Sequence, residues 1–156
     1  MRYMGSKNRH AKELLPIILE NRLKEQWYVE PFVGGFNMID KVKGNRIAND
    51  INHYVIELYK EVQKGWIPPS LVTKELYIKV KETPENYPAH LVGFIGFGCS
   101  YSGKWFGGYA TGGTNSNGTP RNYAAESQRN IIKQSTTLKN IQIFNKEYYN
   151  LEIPDN

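Results

Sequence analysis

Residues 28–36 read YVEPFVGGF, and how this stretch is read decides the fold. The run WYVEPF, starting one residue earlier at Trp27, is apolar and β-prone enough to form a buried strand. Gly34 and Gly35 then let the backbone turn tightly and approach a ligand, because a residue without Cβ tolerates a positive φ. A second short apolar run, RIAND at residues 46–50, closes on Asp50, twenty positions after Glu30. A carboxylate at that spacing can accept both hydroxyls of a bound ribose. The glycine pair alone is compatible with a plain strand-to-helix turn, and it is the later acid that points to a nucleotide-type cofactor site.

Working outward, Ser6 is placed to cap a helix beginning near Asn8, with Leu14, Ile17, Ile18 and Leu23 as its apolar stripe and Pro16 as a kink or break. The first strand is expected over residues 27–31, a short helix over 37–43 ended by Gly44-Asn45, and a second strand over 46–49. Val55, Leu58, Tyr59 and Val62 recur at helical spacing through residues 52–64. Pro68-Pro69 precedes a helix over 71–82, and an apolar, glycine-containing helix follows over 90–98. Residues 96–123 mix many glycines with aromatic rings and suit neither a regular helix nor a plain linker. A helix over 124–138, buried through Ile131, Ile132 and Leu138, leads to a third strand, IQIF. Strands alternating with helices predict an α/β fold with a mostly parallel sheet, the glycine and aromatic segment being inserted into it. Cofactor turns in such sheets lie at the carboxyl ends of strands, where Gly34 and Asp50 fall.

The 156 residues suit one domain of ordinary size, or one carrying a small insertion. With 20 Lys and Arg against 15 Asp and Glu, the formal charge of +5 favours a polyanionic partner. The single cysteine, Cys99, excludes an intrachain disulfide, and His10, His53 and His90 lie too far apart to suggest a metal site. The basic amino terminus is not a signal peptide and no apolar run is long enough to span a membrane, so the sequence predicts a soluble cytoplasmic protein without metal.

RYMGSK at residues 2–7, VEPFVGGFN at 29–37, ANDIN at 48–52, GFGCSYSGKWFGGYA at 96–110 and NYAAESQRNI at 122–131 together resemble the Dam-like, or D12, class of adenine-N6 DNA methyltransferases, in particular its phage members. The resemblance implies a Rossmann-like sheet that binds S-adenosyl-L-methionine (AdoMet) and carries an inserted target-recognition segment. It divides the chain into a cofactor-binding part at 1–66, the recognition-like insertion at 67–123, and a return helix and third strand at 124–156. By the same resemblance, Tyr3 and Lys7 approach the methionine end of AdoMet, and Glu30 with the backbone from Phe32 to Gly34 and Gly35 forms the cofactor loop. Asp50 holds the ribose hydroxyls, Ile51 flanks the adenine, and Glu147-Tyr148 touches the adenine edge. Structural roles stay open beside these: Tyr3 and Phe32 as core aromatics, Lys7 as a solvated charge, Asp50 as a helix N-cap. In the insertion, Lys104, Trp105, Tyr109 and Arg121 are the candidate contacts to double-stranded DNA, with packing of the rings into a small satellite core as the alternative.

Family members carry Asp-Pro-Pro-Tyr on the strand after the third, and no such tetrapeptide occurs in this sequence; LEIPDN at 151–156 reads as the turn before that strand. The resemblance therefore implies a truncated half that is inactive alone, with no catalytic residue to assign. It also implies an unpaired edge on the first strand, to be covered by a homodimer contact or a complementary chain. A different class of function fits the same features: a non-catalytic phage protein that reuses the half-fold to bind a protein or DNA, for instance against a host restriction-modification or other defence system. An RNA-binding module has no RNP-type or KH-type motif to support it.

Overall fold

A computed structural model of the chain describes residues 1–155. β1 (Tyr28–Glu30), β2 (Arg46–Asn49) and β3 (Ile141–Phe144) form a parallel sheet in the order β1-β2-β3, as the α/β reading predicts. Tyr28, Arg46 and Ile141 lie in register, as do Glu30, Ala48 and Ile143 two residues on, so these side chains share one face. The β1–β2 crossover is short. Its expected helix over 37–43 contracts to one 3₁₀ turn, Ile39–Lys41, because Phe36 turns inward at φ +58° to stack on Tyr59.

The β2–β3 crossover carries nearly everything else: α2 (His53–Gln63), α3 (Lys74–Glu82), α4 (Ala89–Gly93) and α5 (Tyr123–Leu138). All four predicted stripe residues of α2 are buried, and Asn52 caps its first turn by accepting from the Val55 N–H. α4 runs on into a π turn, Phe94–Gly98, whose five residues are all buried. Its glycines are points of close approach. A Cβ on Gly93 would run into the Tyr54 carbonyl of α2, and one on Gly96 into the Trp105 ring. Residues 96–123 have little regular structure beyond two antiparallel bridges, Ser100 with Tyr109 and Thr114 with Pro120.

Helix α5 ends in Ser135, Thr136 and Thr137, weak helix formers that cost up to about 0.7 kcal/mol each. Burial of Ile131 and Leu138, about 1.5–3 kcal/mol each, outweighs that cost. Its terminal carbonyls are satisfied from elsewhere: the Arg46 guanidinium donates to Thr137 O and Lys139 O, and Gln63 Nε2 to Leu138 O. Ile132 is 43% exposed, a correction to the predicted stripe. The buried positions are Ala124, Ser127, Ile131, Gln134 and Leu138, and residue 132 points about 100° away from them.

A larger correction concerns α1 (Ala11–Ile18). Ser6 Oγ accepts from the Asn8 N–H at a 3₁₀ turn, Asn8–His10, that leads into α1, but the cap residue of α1 itself is His10, which makes no side-chain cap bond. The helix continues through Pro16 for two residues before ending. Its buried residues, however, are Ala11 and Leu15, one turn apart; Ile17, Ile18 and Leu23 are 70%, 53% and 67% exposed. Ile17 and Ile18 line a groove with Trp27, Tyr28 and Val29 beside β1, which among the described residues pairs with β2 alone. Of the apolar stripe read from the sequence, Leu14 packs against the core while Ile17 and Ile18 face this flank.

Candidate functional site

The glycine turn leaves β1 at its carboxyl end and is locked to the end of β2 by one carboxylate. Gly34 N–H donates to Asp50 Oδ2 at 2.9 Å, and Asn52 N–H donates to Asp50 Oδ1 at 2.9 Å. Asp50 is therefore not the N-cap of α2, a role that falls to Asn52. It clamps the cap residue to the turn instead. A carboxylate offers about four lone-pair sites, so two accepted bonds leave capacity for ligand hydroxyls.

Tyr3 closes the other side of the turn. A Cβ on Gly34, whose φ is +49°, would lie 2.7 Å from the Tyr3 ring, and one on Gly35 2.7 Å from Tyr3 Cβ. Only glycine lets this ring lie so close to the backbone. Tyr3 also contacts Phe97 at 4.8 Å between centroids, and burial, then the Asp50 charge, raises its hydroxyl pKa to about 12. The phenol stays protonated and can donate.

A narrow cleft of about 80 Å³ gathers Tyr3, Lys7, Glu30, Phe32, Gly34 and Gly35. Six of the residues expected to hold a cofactor thus surround one opening. Glu30 accepts from Ile39 N–H at 3.1 Å, and burial raises its carboxyl pKa from 4.5 to about 7. At the rim of the cleft, Phe32 meets Tyr148 at 5.5 Å, with Phe32 69% and Tyr148 58% exposed. Ile51 is also exposed, and Asn145 Nδ2 fixes its turn by donating to Asp50 O and Ile51 O.

This geometry fits one part of an extended ligand in the cleft and the rest across the strand ends. A whole cofactor needs roughly 300 Å³ or more, so the cleft suits an end carrying both charges, with Lys7 and Glu30 on its walls. The exposed Ile51 directly follows the buried Asp50 carboxylate, an arrangement that suits a ribose and a planar base. Among the described residues there is no cluster of His, Cys, Asp or Glu that could hold a metal, and no helix is long and apolar enough to cross a membrane.

The candidates in the insertion are placed differently. Trp105 is partly buried between Tyr54, Phe97 and Phe106, and Tyr109 donates its hydroxyl to Val72 O beside Tyr77. This packing favours the satellite core for both rings. Arg121 holds Glu126 through two hydrogen bonds, 2.8 and 2.6 Å, and Arg2 joins the same carboxylate at 3.0 Å. Lys104 is exposed and forms no ion pair among the described residues.

Sequence reasoning missed Gln134. Its Nε2 lies 3.1–3.3 Å from Gly35 O, Phe36 O, Asn37 Oδ1 and Asp40 Oδ2, and its Oε1 accepts from the Tyr59 hydroxyl at 3.0 Å. This side chain fixes the glycine turn to α5. The signal was a long polar residue on the apolar stripe between Ile131 and Leu138. Asn49 was missed too; it bridges the turns after β1 and β3 through Pro31 O and Lys146 O.

No curated protein matches the chain. A family profile described as D12 class N6 adenine-specific DNA methyltransferase matches residues 3–91, which take in the Tyr3 and Lys7 segment, the glycine turn and Asp50. With more than half its length matched and a parallel α/β sheet carrying that turn, the chain belongs to the D12 class of N6 adenine-specific DNA methyltransferases.

Proposed function

We propose that these residues form the AdoMet-binding part of an adenine-N6 methyltransferase acting on double-stranded DNA in the cytoplasm. The observation that carries the reading is the Asp50 clamp on Gly34, a glycine that shares one cleft with Tyr3, Lys7, Glu30 and Phe32. Lys7 is suited to the methionine carboxylate and ionised Glu30 to the ammonium group, each as a charge-assisted hydrogen bond. The free lone pairs of Asp50 receive the ribose hydroxyls, while Ile51, Phe32 and Tyr148 border the adenine. When bound, AdoMet supplies the sulfonium methyl that goes to N6 of the target adenine. No Asp-Pro-Pro-Tyr tetrapeptide occurs in residues 1–156, so these residues alone are assigned cofactor binding without turnover.

The outer edge of β1 supports a partner. β1 pairs with β2 on one side, and Ile17, Ile18 and Trp27 border a groove of about 450 Å³ on the other. A strand from a second copy or a complementary chain would cover both the backbone edge and the apolar wall.

Calorimetric titration with AdoMet tests the function. Wild type should bind, and Asp50→Ala should lose about 1.5–3 kcal/mol, the range for a hydrogen bond to a charged group. Absence of binding by a folded wild-type protein would reject the reading in favour of a non-catalytic phage protein that uses the same fold against a host defence system.

A further inference from the structure

A second, larger cleft, about 1050 Å³, lies between the amino-terminal segment and α5 and adjoins the cofactor cleft. Its wall on α5 is formed by Asn130, Lys133, Gln134 and Thr137, spaced i, i+3, i+4 and i+7 and so on one helical face. Across it lie Arg2, Asn8, Arg9 and Lys41. Four of its lining residues are Lys or Arg against one acid, Asp40, and that acid is already engaged by Lys41 at 2.8 Å and Gln134 at 3.1 Å. Arg2 is likewise held by Glu126. Arg9 and Lys133 remain exposed, with no ion pair among the described residues.

The cleft is continuous with both the cofactor cleft and the insertion. Tyr3, Gly5, Ser6 and Asn37 line it and the cofactor cleft alike, and Ser102 brings the 96–123 segment to its rim. Most of its lining residues are polar or charged, and Met4 is the only large exposed apolar side chain on it among the described residues. Protein partners seek aromatic or aliphatic anchors, whereas DNA interfaces are polar, wet and positively charged.

We propose that this cleft is a phosphate-contacting face for duplex DNA, with Arg9 and Lys133 as its free cations and Asn8 and Asn130 as neutral hydrogen-bonding neighbours. The proposal rests on the methyltransferase reading and extends it to how the duplex is held. Phosphate contacts fix register without reading bases, so this face would bind DNA independently of sequence. Removing one neutralised phosphate makes the slope of log affinity against log salt shallower by about 0.9.

The test is fluorescence anisotropy of a labelled duplex over a salt series, for wild type, Arg9→Gln/Lys133→Gln and the charge-preserving Arg9→Lys/Lys133→Arg. AdoMet titration of each protein runs in parallel. The expected result is a slope shallower by about two in the Gln pair, retention in the charge-preserving pair, and unchanged AdoMet binding in all three. An unchanged slope in the Gln pair overturns the proposal. So does a wild type that binds AdoMet but no duplex, which leaves the cofactor reading standing; a wild type that binds neither overturns both. Equal displacement of the duplex by polyglutamate, or preference for single-stranded RNA, would assign the cleft to another partner and also overturn it.

Discussion

Replacing Glu30 by glutamine should stabilise the protein in alkaline solution. Burial is the largest cause that raises its carboxyl pKa from 4.5 to about 7; Asp40 adds to it, and the Ile39 N–H, Lys41 and Lys7 oppose it. The folded state thus binds this proton more tightly than the unfolded chain does. The contribution of the group is fully present below pH 4.5 and is lost as pH rises through about 7. At 1.36 kcal/mol per pH unit, the loss amounts to about 3 kcal/mol. Glutamine keeps a carbonyl oxygen for the Ile39 N–H but never ionises. Urea denaturation of wild type and Glu30→Gln at about pH 4.5 and pH 8.5 should therefore show similar stabilities in acid. In alkali the variant should gain by up to about 3 kcal/mol. A gap that is the same at both pH values would refute the argument from burial. A carboxylate kept at this cost in stability is what a binding site for a cationic group requires, so the variant should also bind AdoMet more weakly in the alkaline buffer.

Gly34→Ala should destabilise by at least about 1–2 kcal/mol, the cost of a left-handed backbone at a residue with a side chain, and displace the Tyr3 ring; thermal melts and Tyr3 hydroxyl titration would report both. Lys104→Gln should make the salt slope of DNA binding shallower by about one phosphate's worth, and Arg121→Gln should add little because that guanidinium is held by Glu126; a larger effect from Arg121→Gln in anisotropy titrations would contradict the pairing. Ile17→Asp on the open flank of β1 should abolish self-association seen by light scattering without loss of fold, since Ile17 is 70% exposed in the single chain.

The sheet was legible because each strand is a short β-prone run closed by a polar residue: RIAN before Asp50, IQIF before Asn145. Helix α2 was legible because its stripe packs on one side only. α1 misled because Ile17 and Ile18 have the same apolar signature whether they face a core or an uncovered strand edge. In the site, Tyr3, Lys7 and Asp50 could be named from their motifs, but the clamp between Asp50 and Gly34 is a contact across sixteen positions that no local pattern encodes. Gln134 is more remote still, reaching Gly35 from ninety-nine positions away. Arg121 was named as a candidate DNA contact without its partner, because Glu126 lies five residues on, outside the three- and four-residue spacings that pair charges on a helix.

Every role proposed for the site depends on AdoMet lying over the glycine turn. A crystal structure with S-adenosyl-L-homocysteine bound tests this most directly. The expected complex has ribose hydroxyls within hydrogen-bond distance of Asp50, the amino-acid end between Lys7 and Glu30, and the adenine between Ile51 and the Phe32 and Tyr148 rings. Ligand density elsewhere on the molecule, with the 80 Å³ cleft left to solvent, would contradict it.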